Sequence, residues 1–256
     1  MLSRNRYKPP SLYLAFMETH RHLTTEYHWA DLILNESSLQ LMNELNETAK
    51  QQQPCHALFY GSSGTGKTLA AALLGKELQK DVVRVDLSTV VSKYIGETEK
   101  NLEQLFLRAE TKDWILFFDE ADALFGKRTE IKDSHDRYSN LEIAYLLQRL
   151  EQHPGIVLFA TNKKTNIDDA FIRRLRYDIH FPIPAPPERL RLWEKGLNKN
   201  NLPISTVDLH TIAHEFELSG AVIMNVTQQL RKDAAGKNNS INNDLIIHKI
   251  KNWTTQ

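Results

Sequence analysis

The clearest chemical signal in the chain is a glycine-rich octapeptide, Gly61-Ser62-Ser63-Gly64-Thr65-Gly66-Lys67-Thr68. It fits the pattern G-x-x-x-x-G-K-[ST]. Glycines let backbone N–H groups turn inward around phosphate oxygens, and a following helix adds the positive end of its dipole. Lys67 would then reach the β- and γ-phosphates of a nucleotide, and the Thr68 hydroxyl would bind Mg²⁺. The octapeptide therefore predicts a phosphate-binding loop.

A pair of acidic residues, Asp119 and Glu120, directly follows the apolar run Ile115-Leu116-Phe117-Phe118. In an open parallel sheet, ligands bind beyond the carboxyl ends of the strands, so Asp119 is directed at the crevice that the phosphate-binding loop would occupy. A carboxylate in that place can hold Mg²⁺. Glu120 can orient and polarise an attacking water as a general base. The pair supplies the second half of a nucleotide-hydrolysis site.

Short apolar strands alternate with helices through the first two thirds of the chain, which positions these residues. The predicted strands cover residues 57–60, 82–86, 114–119, 155–161 and 179–181, and the predicted helices cover 37–50, 68–79, 98–109 and 139–151. Strands that do not alternate in polarity and are separated by helices are typical of a mostly parallel sheet covered on both faces. The prediction is a three-layer α/β fold with five strands.

A proline-rich stretch at residues 182–187 divides the chain, because it breaks regular structure and behaves as a stiff joint. Beyond it the pattern is helical only, over residues 188–197, 206–217, 219–235 and 242–253. The predicted organisation is an N-terminal arm (1–24), a large α/β subdomain (25–185) and an all-α lid (186–256).

The composition is that of an ordinary soluble protein, with 41% hydrophobic and 25% charged residues. Lys+Arg and Asp+Glu both number 32, so no strong field for nucleic acid or an anionic membrane is expected. Cys55 is the only cysteine, which excludes a disulfide within the chain and fits a cytoplasmic location. No apolar run approaches the roughly 18 residues that a membrane span needs.

Taken together, the segment from about residue 29 to residue 235 resembles the AAA+ ATPases, a group of P-loop NTPases. Residues 119–122, Asp-Glu-Ala-Asp, resemble the Walker B motif, and the octapeptide resembles Walker A. Residues 155–162 resemble the sensor 1 strand. The resemblance implies that Asn162 lies between the two Walker motifs and helps to place the lytic water. ATP and Mg²⁺ are the implied cofactors.

Two arginines, Arg173 and Arg176, have the spacing of the residues that in this family reach into the neighbouring subunit's nucleotide. Arg174 stands between them, where the family often has proline. A planar fork of donors suits the charge that develops on a transferred phosphoryl group. The alternative is that these arginines pair with nearby surface acids.

The segment Lys93-Tyr94-Ile95-Gly96-Glu97 resembles the pore loop of protein-unfolding AAA members. The resemblance implies a hexameric ring in which Tyr94, Ile95 and Gly96 line the axial channel, where Tyr94 would contact a threaded substrate and Gly96 would keep the loop mobile. Tyr94 packed against its own domain is the alternative. Residues 126–135 are polar and would hold a second pore loop, or only a solvated loop.

The nucleotide-binding set extends beyond the phosphates. Gly220 and Ala221 resemble the sensor 2 position, where a small turn lets the lid approach the adenosine. Ala30 and Leu32 would form the other wall of the base pocket, and Leu69 follows Thr68 on the first helix after the loop.

The leading hypothesis is a Mg-ATP hydrolase that forms a homo-oligomeric ring and threads or remodels a protein substrate. A nucleic-acid-associated ATPase is disfavoured by the zero net charge, by the missing sensor 2 arginine and by Tyr94-Ile95-Gly96. A third hypothesis is an ATP-gated scaffold with slow hydrolysis. Within the family, the chain resembles the short ATPases encoded with phage-tail-like contractile injection systems.

Overall fold

A computed structural model describes residues 21–85, 97–125, 144–199, 207–236 and 241–254. The predicted pore-loop residues Tyr94, Ile95 and Gly96 lie outside these ranges. So do residues 126–135 and all but the last four residues of the predicted arm.

A single sheet forms the centre of the α/β part. Its strands are β1 (Arg21–Leu23), β2 (Cys55–Tyr60), β3 (Val82–Val85), β4 (Ile115–Phe118), β5 (Ile156–Thr161) and β6 (Tyr177–His180). The six strands lie in the order β1-β3-β4-β5-β2-β6. The strands β2 to β6 pair in parallel, as predicted.

The sixth strand, β1, was not predicted, because the sequence analysis placed its residues in the N-terminal arm. It pairs antiparallel with β3, with Arg21 opposite Arg84 and Leu23 opposite Val82. Its side chains are exposed or half-buried, so it lacks the apolar run by which the other strands were recognised. Backbone pairing to β3 forms this strand, helped by an edge-to-face contact between the rings of His22 and Trp114 at 5.9 Å.

Ten helical segments surround the sheet or form the lid within the described residues. They are α1 (Glu36–Lys50), α2 (Lys67–Leu78), α3 (Glu97–Lys112), α4 (Asp122–Phe125), α5 (144–152), α6 (Asp169–Ile172), α7 (Pro186–Lys199), α8 (Leu209–Glu215), α9 (Gly220–Gly236) and α10 (Asn243–Thr254). Helix α7 begins inside the stretch predicted to be a joint. Pro186 and Pro187 occupy its first turn, where a missing N–H leaves no hydrogen bond unmade.

Apolar cores lie on both faces of the sheet, which confirms the three-layer fold. On one face Met42 and Leu45 of α1 and Leu73 and Leu74 of α2 are buried against the sheet. On the other face the buried residues include Leu105 and Phe106 of α3 and Leu146 and Leu150 of α5. The lid has its own core around the fully buried Trp193, with Ile223, Val226 and Ile246.

The sheet register brings the predicted site residues to one edge. Tyr60 of β2 pairs with Thr161 of β5, and Phe118 of β4 pairs with Phe159 of β5. Gly61, Asp119 and Asn162 each come directly after these strands. The carboxyl ends of the parallel strands therefore meet where the loop, the acidic pair and the asparagine emerge.

Arg189 of α7 holds the joint between the two parts. It is 6% exposed, and its guanidinium donates to the carbonyl oxygen of Pro184 at 2.5 Å and to that of Ala213 at 2.7 Å. A buried charge that satisfies two carbonyls fixes the start of the lid relative to its second helix. Among the described residues, every helix is too short or too polar to span a bilayer.

Candidate active site

The phosphate-binding loop has the backbone geometry that requires glycine. Gly61, Gly64 and Gly66 have φ angles of +145°, +77° and +108°. A Cβ at Gly61 would collide with the carbonyl oxygen of Phe181 on the neighbouring strand segment. The loop ends at Lys67, where α2 begins, so the unpaired N–H groups of its first turn open toward the same space.

Lys67 is the most strongly constrained side chain of the loop. Its residue is 8% exposed, and its Nζ donates to Gly61 O at 2.5 Å, Ser62 O at 2.9 Å and Asn162 Oδ1 at 3.0 Å. Burial lowers the pKa of Lys67, and the nearby Asp119 carboxylate acts in the opposite direction. The ammonium is thus held at the edge of the sheet by oxygen atoms, as a phosphate-binding lysine requires.

Asp119 and Glu120 follow β4 at the same edge. One Asp119 oxygen, Oδ2, lies 2.8 Å from a guanidinium nitrogen of Arg84, and the other, Oδ1, accepts the backbone N–H of Glu120 at 3.0 Å. Glu120 is exposed and has a φ of +54°, unusual for a residue with a side chain. Such strain costs of order 1–3 kcal/mol and occurs most often at functional sites.

The acidic turn is also fixed to the strand that carries Asn162. Ala121 N donates to Ala160 O at 2.8 Å, and Thr161 Oγ1 donates to Asp122 Oδ1 at 2.7 Å. Because Asn162 accepts a hydrogen bond from Lys67, the phosphate-binding loop, the acidic pair and the end of β5 form one connected unit. The structure brings together the residues that the sequence analysis assigned to hydrolysis.

A cleft of about 920 Å³ extends from this edge to the lid. The loop residues Ser63 to Leu69, Asp119, Glu120 and Asn162 line one end, and Leu32, Gly220 and Ala221 line it farther along. The lid meets the loop directly, because Ala221 N donates to Gly64 O at 3.0 Å. The volume suits a nucleotide, since small-molecule sites span about 300–1,000 Å³.

Comparison with known sequences decides the family. A model described as "ATPase family associated with various cellular activities (AAA)" matches residues 57–185, which include the loop, the acidic pair, Asn162 and the three arginines. This chain belongs to the AAA family of ATPases.

Curated relatives of the AAA chain include proteins named for several functions. Spastin of Ixodes scapularis is 32% identical over 73% of this chain and 29% of its own length. The 26S proteasome regulatory subunit 8 homolog of Encephalitozoon cuniculi is 37% identical over 66% of this chain and 45% of its own. The proteasome-activating nucleotidase of Methanococcus vannielii is 35% identical over 66% and 43%. The alignments thus span less than half the length of these relatives.

The three arginines of the AAA chain differ in their surroundings, although all are exposed. Arg174 forms an ion pair with Glu151 of its own α5. Arg176 donates to Gln53 Oε1 at 3.1 Å and lies 5.6 Å from the centroid of the Tyr177 ring. No partner within the described residues is recorded for the guanidinium of Arg173.

Arg176 lies far from the phosphate-binding loop of its own chain. The backbone N–H of Arg176 donates to His56 O, at the amino end of β2, whereas the loop follows the carboxyl end of that strand. Five residues of extended strand separate His56 from Gly61, which is about 16 Å. Arg176 therefore faces away from its own nucleotide site.

Of the two residues that the sequence analysis placed at the wall of a base pocket, the structure brings one to the cleft. Leu32 lines the cleft, whereas Ala30 does not and instead accepts a hydrogen bond from Lys195 at its carbonyl oxygen. Sequence reasoning missed the lid residues Glu188, Leu192 and Met224, which also line the cleft. Sequence reasoning also missed the contact of Arg84 with Asp119. A charged residue inside the apolar strand Val-Val-Arg-Val could have indicated an acidic partner at the end of a neighbouring strand.

Proposed function

We propose that this chain hydrolyses Mg-ATP in the cleft between the α/β part and the lid. The observation that carries the proposal is the connected unit of Lys67, Asp119, Glu120 and Asn162 at one end of a cleft of about 920 Å³. The residues fit the ligand: three glycines hold φ angles that side chains avoid, and the Lys67 ammonium sits among oxygen atoms. Thr68 and Asp119 would hold the metal.

In this proposal each residue has one task. Lys67 neutralises phosphate oxygens, Glu120 accepts a proton from the attacking water, and Asn162 orients that water while it positions Lys67. Bound Mg²⁺ supplies positive charge to the phosphate oxygens. Leu69, Leu32, Gly220 and Ala221 exclude water around the remainder of the nucleotide.

The site is proposed to be completed by a neighbouring subunit in a homo-oligomeric, six-membered ring. Arg176 lies at the end of the sheet opposite its own loop, and Arg173 precedes it closely in sequence, so both are proposed to act on another chain's nucleotide. Arg174 is already paired with Glu151 in cis. We therefore assign the trans role to Arg173 and Arg176, with Arg173 the better candidate because none of the described residues holds its guanidinium.

The work that hydrolysis drives is proposed to be the threading or remodelling of a protein. The names of two relatives connect them to the proteasome, and the resemblance of Tyr94-Ile95-Gly96 to a pore loop supports a protein client. The finer proposal is a client from a contractile, phage-tail-like assembly. The buried thiol of Cys55 supports a reducing, cytoplasmic setting.

Substitution of the general base tests the hydrolysis proposal. Glu120→Gln is expected to retain ATP binding and to lose at least about 100-fold of the ATPase rate. The matched control is Glu103→Gln on α3, remote from the cleft, which should keep full activity. A Glu120→Gln protein with the wild-type turnover rate would remove Glu120 from this role. The same variant, with ATP bound, is the form with which to capture the client.

Mixing two inactive variants tests the trans assignment. Lys67→Ala keeps the arginines but loses the phosphate contact, and Arg173→Ala does the reverse. If the arginine acts in trans, mixtures regain activity at interfaces where an intact loop meets an intact arginine. Arg174→Ala is the control that should be active by itself. No recovery over a full range of mixing ratios would mean that Arg173 does not act across an interface.

A further inference from the structure

A lysine of the lid reaches across to the segment that forms the far wall of the cleft. Lys195 of α7 donates from Nζ to Ala30 O at 2.6 Å and to Asp31 Oδ1 at 2.8 Å. Lys195 and Asp31 come from opposite sides of the cleft and are 164 residues apart in sequence. We call residues 27–34 the base-wall segment, because Leu32 to Leu34 line the cleft where the lid faces them.

The base-wall segment has little regular structure of its own. A single 3₁₀ turn covers Trp29–Asp31, and Asp31 Oδ2 closes it by accepting the His28 N–H at 2.7 Å. The Lys195 hydrogen bond holds the pKa of Asp31 below its usual value. From the α/β side, Lys76 of α2 donates to Tyr27 O at 2.7 Å. The segment is thus held from below by Lys76 and from the lid by Lys195, with a second lid contact from Lys199, whose Nζ lies 3.9 Å from the centroid of the Tyr27 ring.

We infer that Lys195 is a positioning residue for recognition of the nucleotide base. By fixing the backbone at Ala30 and the carboxylate of Asp31, it gives the base-wall segment its binding shape only while the lid is seated. The segment and the lid therefore form the base pocket jointly. This inference rests on the proposed nucleotide site and adds to it a residue that does not contact the phosphates.

The two ends of the cleft are held by separate contacts, which is why the effect should be confined to the base. At the phosphate end, Lys67 is bound by loop carbonyls and Asn162, and Ala221 of the lid meets Gly64. None of these contacts involves Lys195. Loss of the Lys195 ammonium should loosen the base-wall segment and leave the phosphate-binding loop unchanged.

The test measures ligand binding by Lys195→Met in the full chain. A hydrogen bond from a charged donor is strong, but partial exposure weakens it, so the Kd for ATP should rise roughly five- to tenfold. The Kd for inorganic tripolyphosphate, which has no base, should stay at the wild-type value. Amide hydrogen exchange in residues 27–34 of the nucleotide-free protein should become faster.

The matched control is Lys249→Met, which removes the same side chain from an ion pair of similar length. Lys249 lies 2.7 Å from Asp233, and both residues belong to the lid. This control should bind ATP and tripolyphosphate as the wild type does. Equal weakening of both ligands by Lys195→Met would overturn the inference, since it would indicate a general loss of lid structure. An unchanged Kd for ATP would overturn it as well.

A third variant separates this inference from the proposed function. Lys67→Met should weaken ATP and tripolyphosphate together, because it removes a phosphate contact. If Lys67→Met binds both ligands normally, the proposed site itself is wrong. If Lys67→Met weakens both and Lys195→Met weakens neither, the site stands and only the role of Lys195 is refuted.

Discussion

An ion pair of 2.8 Å joins Arg84 on β3 to Asp119, the first residue of the acidic turn after β4. Arg84 lies on β3 opposite Phe117 of β4, so its side chain reaches the first acidic residue after β4. Asp119 is the residue that we propose as a metal ligand. One of its oxygens is therefore already paired with a guanidinium, whose positive charge competes with any cation that this carboxylate would bind.

Removing Arg84 is expected to ease magnesium binding. In Arg84→Gln the carboxylate loses a competing cation, and a partly exposed pair is worth about 0.2–1 kcal/mol, so the half-saturating Mg²⁺ concentration should fall about 1.4- to fivefold. The measurement is ATPase rate against free Mg²⁺ at saturating ATP. Arg21→Gln, which removes a charge directly opposite on β1, is the control. An Arg84→Gln protein that needs more Mg²⁺ would show that the arginine supports the metal site.

The contact between the lid and the phosphate-binding loop can be tested at Gly64. A Cβ there would lie 2.7 Å from Ser219 Oγ and 3.0 Å from the Ala221 Cβ, and the φ of +77° adds strain. Gly64→Ala should therefore displace the lid and weaken ATP binding at least tenfold. Isothermal titration with ATP, together with the melting temperature, measures both effects.

Two neighbouring glycines provide controls for that substitution. Gly66→Ala meets no protein atom within 4 Å at a φ of +108°, so it adds backbone strain of about 1–2 kcal/mol without displacing the lid. Gly220→Ala meets only Gly64 O and Leu192 atoms at 3.7 Å or more, which is ordinary contact. If Gly64→Ala binds ATP no worse than Gly66→Ala, the lid does not depend on close approach at Gly64.

A buried histidine, His153, and a half-buried one, His56, predict that the protein loses stability in mild acid. Burial lowers the pKa of both His153 and His56; the charge of His153 lowers that of His56 further, and Glu110 partly opposes the shift at His153. Below pH 6.5 the unfolded chain binds protons that the folded chain excludes. The stability present above that pH is lost as the pH falls toward the native pKa values, by up to about 1.4 kcal/mol per pH unit for each histidine.

Urea unfolding between pH 7.5 and 5.5 measures this slope. His153→Gln should flatten it, because one of the two excluded protons is no longer involved. His248→Gln on α10, an exposed position, is the control and should keep the wild-type slope. Equal slopes for wild type and His153→Gln would mean that another group causes the acid sensitivity.

The local patterns of the sequence were enough to predict that the glycine-rich loop, the acidic pair and Asn162 meet at one edge of the sheet. Gly61 to Thr68, Asp119 and Asn162 each follow an apolar strand, and parallel pairing places the ends of such strands together whatever the side chains do. The same logic failed for β1, since Arg21 and His22 carry no apolar signal. This strand forms through backbone hydrogen bonds to β3, and such pairing leaves no pattern of side chains in the sequence.

The contacts between lid and α/β part were beyond sequence reasoning for a different reason. Lys195 and Asp31 are charged residues on a helix and in a turn, and their separation of 164 residues leaves no periodicity to connect them. From the sequence, Arg189 would likewise be assigned to the surface of a helix, because its burial depends on the fold of the surrounding joint. The partner of Arg84 could have been predicted from the sequence. An arginine inside an otherwise buried strand needs an acidic partner, and only residues near the ends of the neighbouring strands can reach it.

The antiparallel direction of β1 has a practical consequence for attachments to the chain. Arg21, the first residue of β1, lies opposite Arg84, and β3 ends one residue later at Val85. A fluorophore attached to a cysteine at position 21 would thus lie at the end of the sheet that carries Asp119, whereas one attached at position 254 would be carried by the lid. A pair of dyes at these two places would report the opening of the cleft as a change in energy transfer.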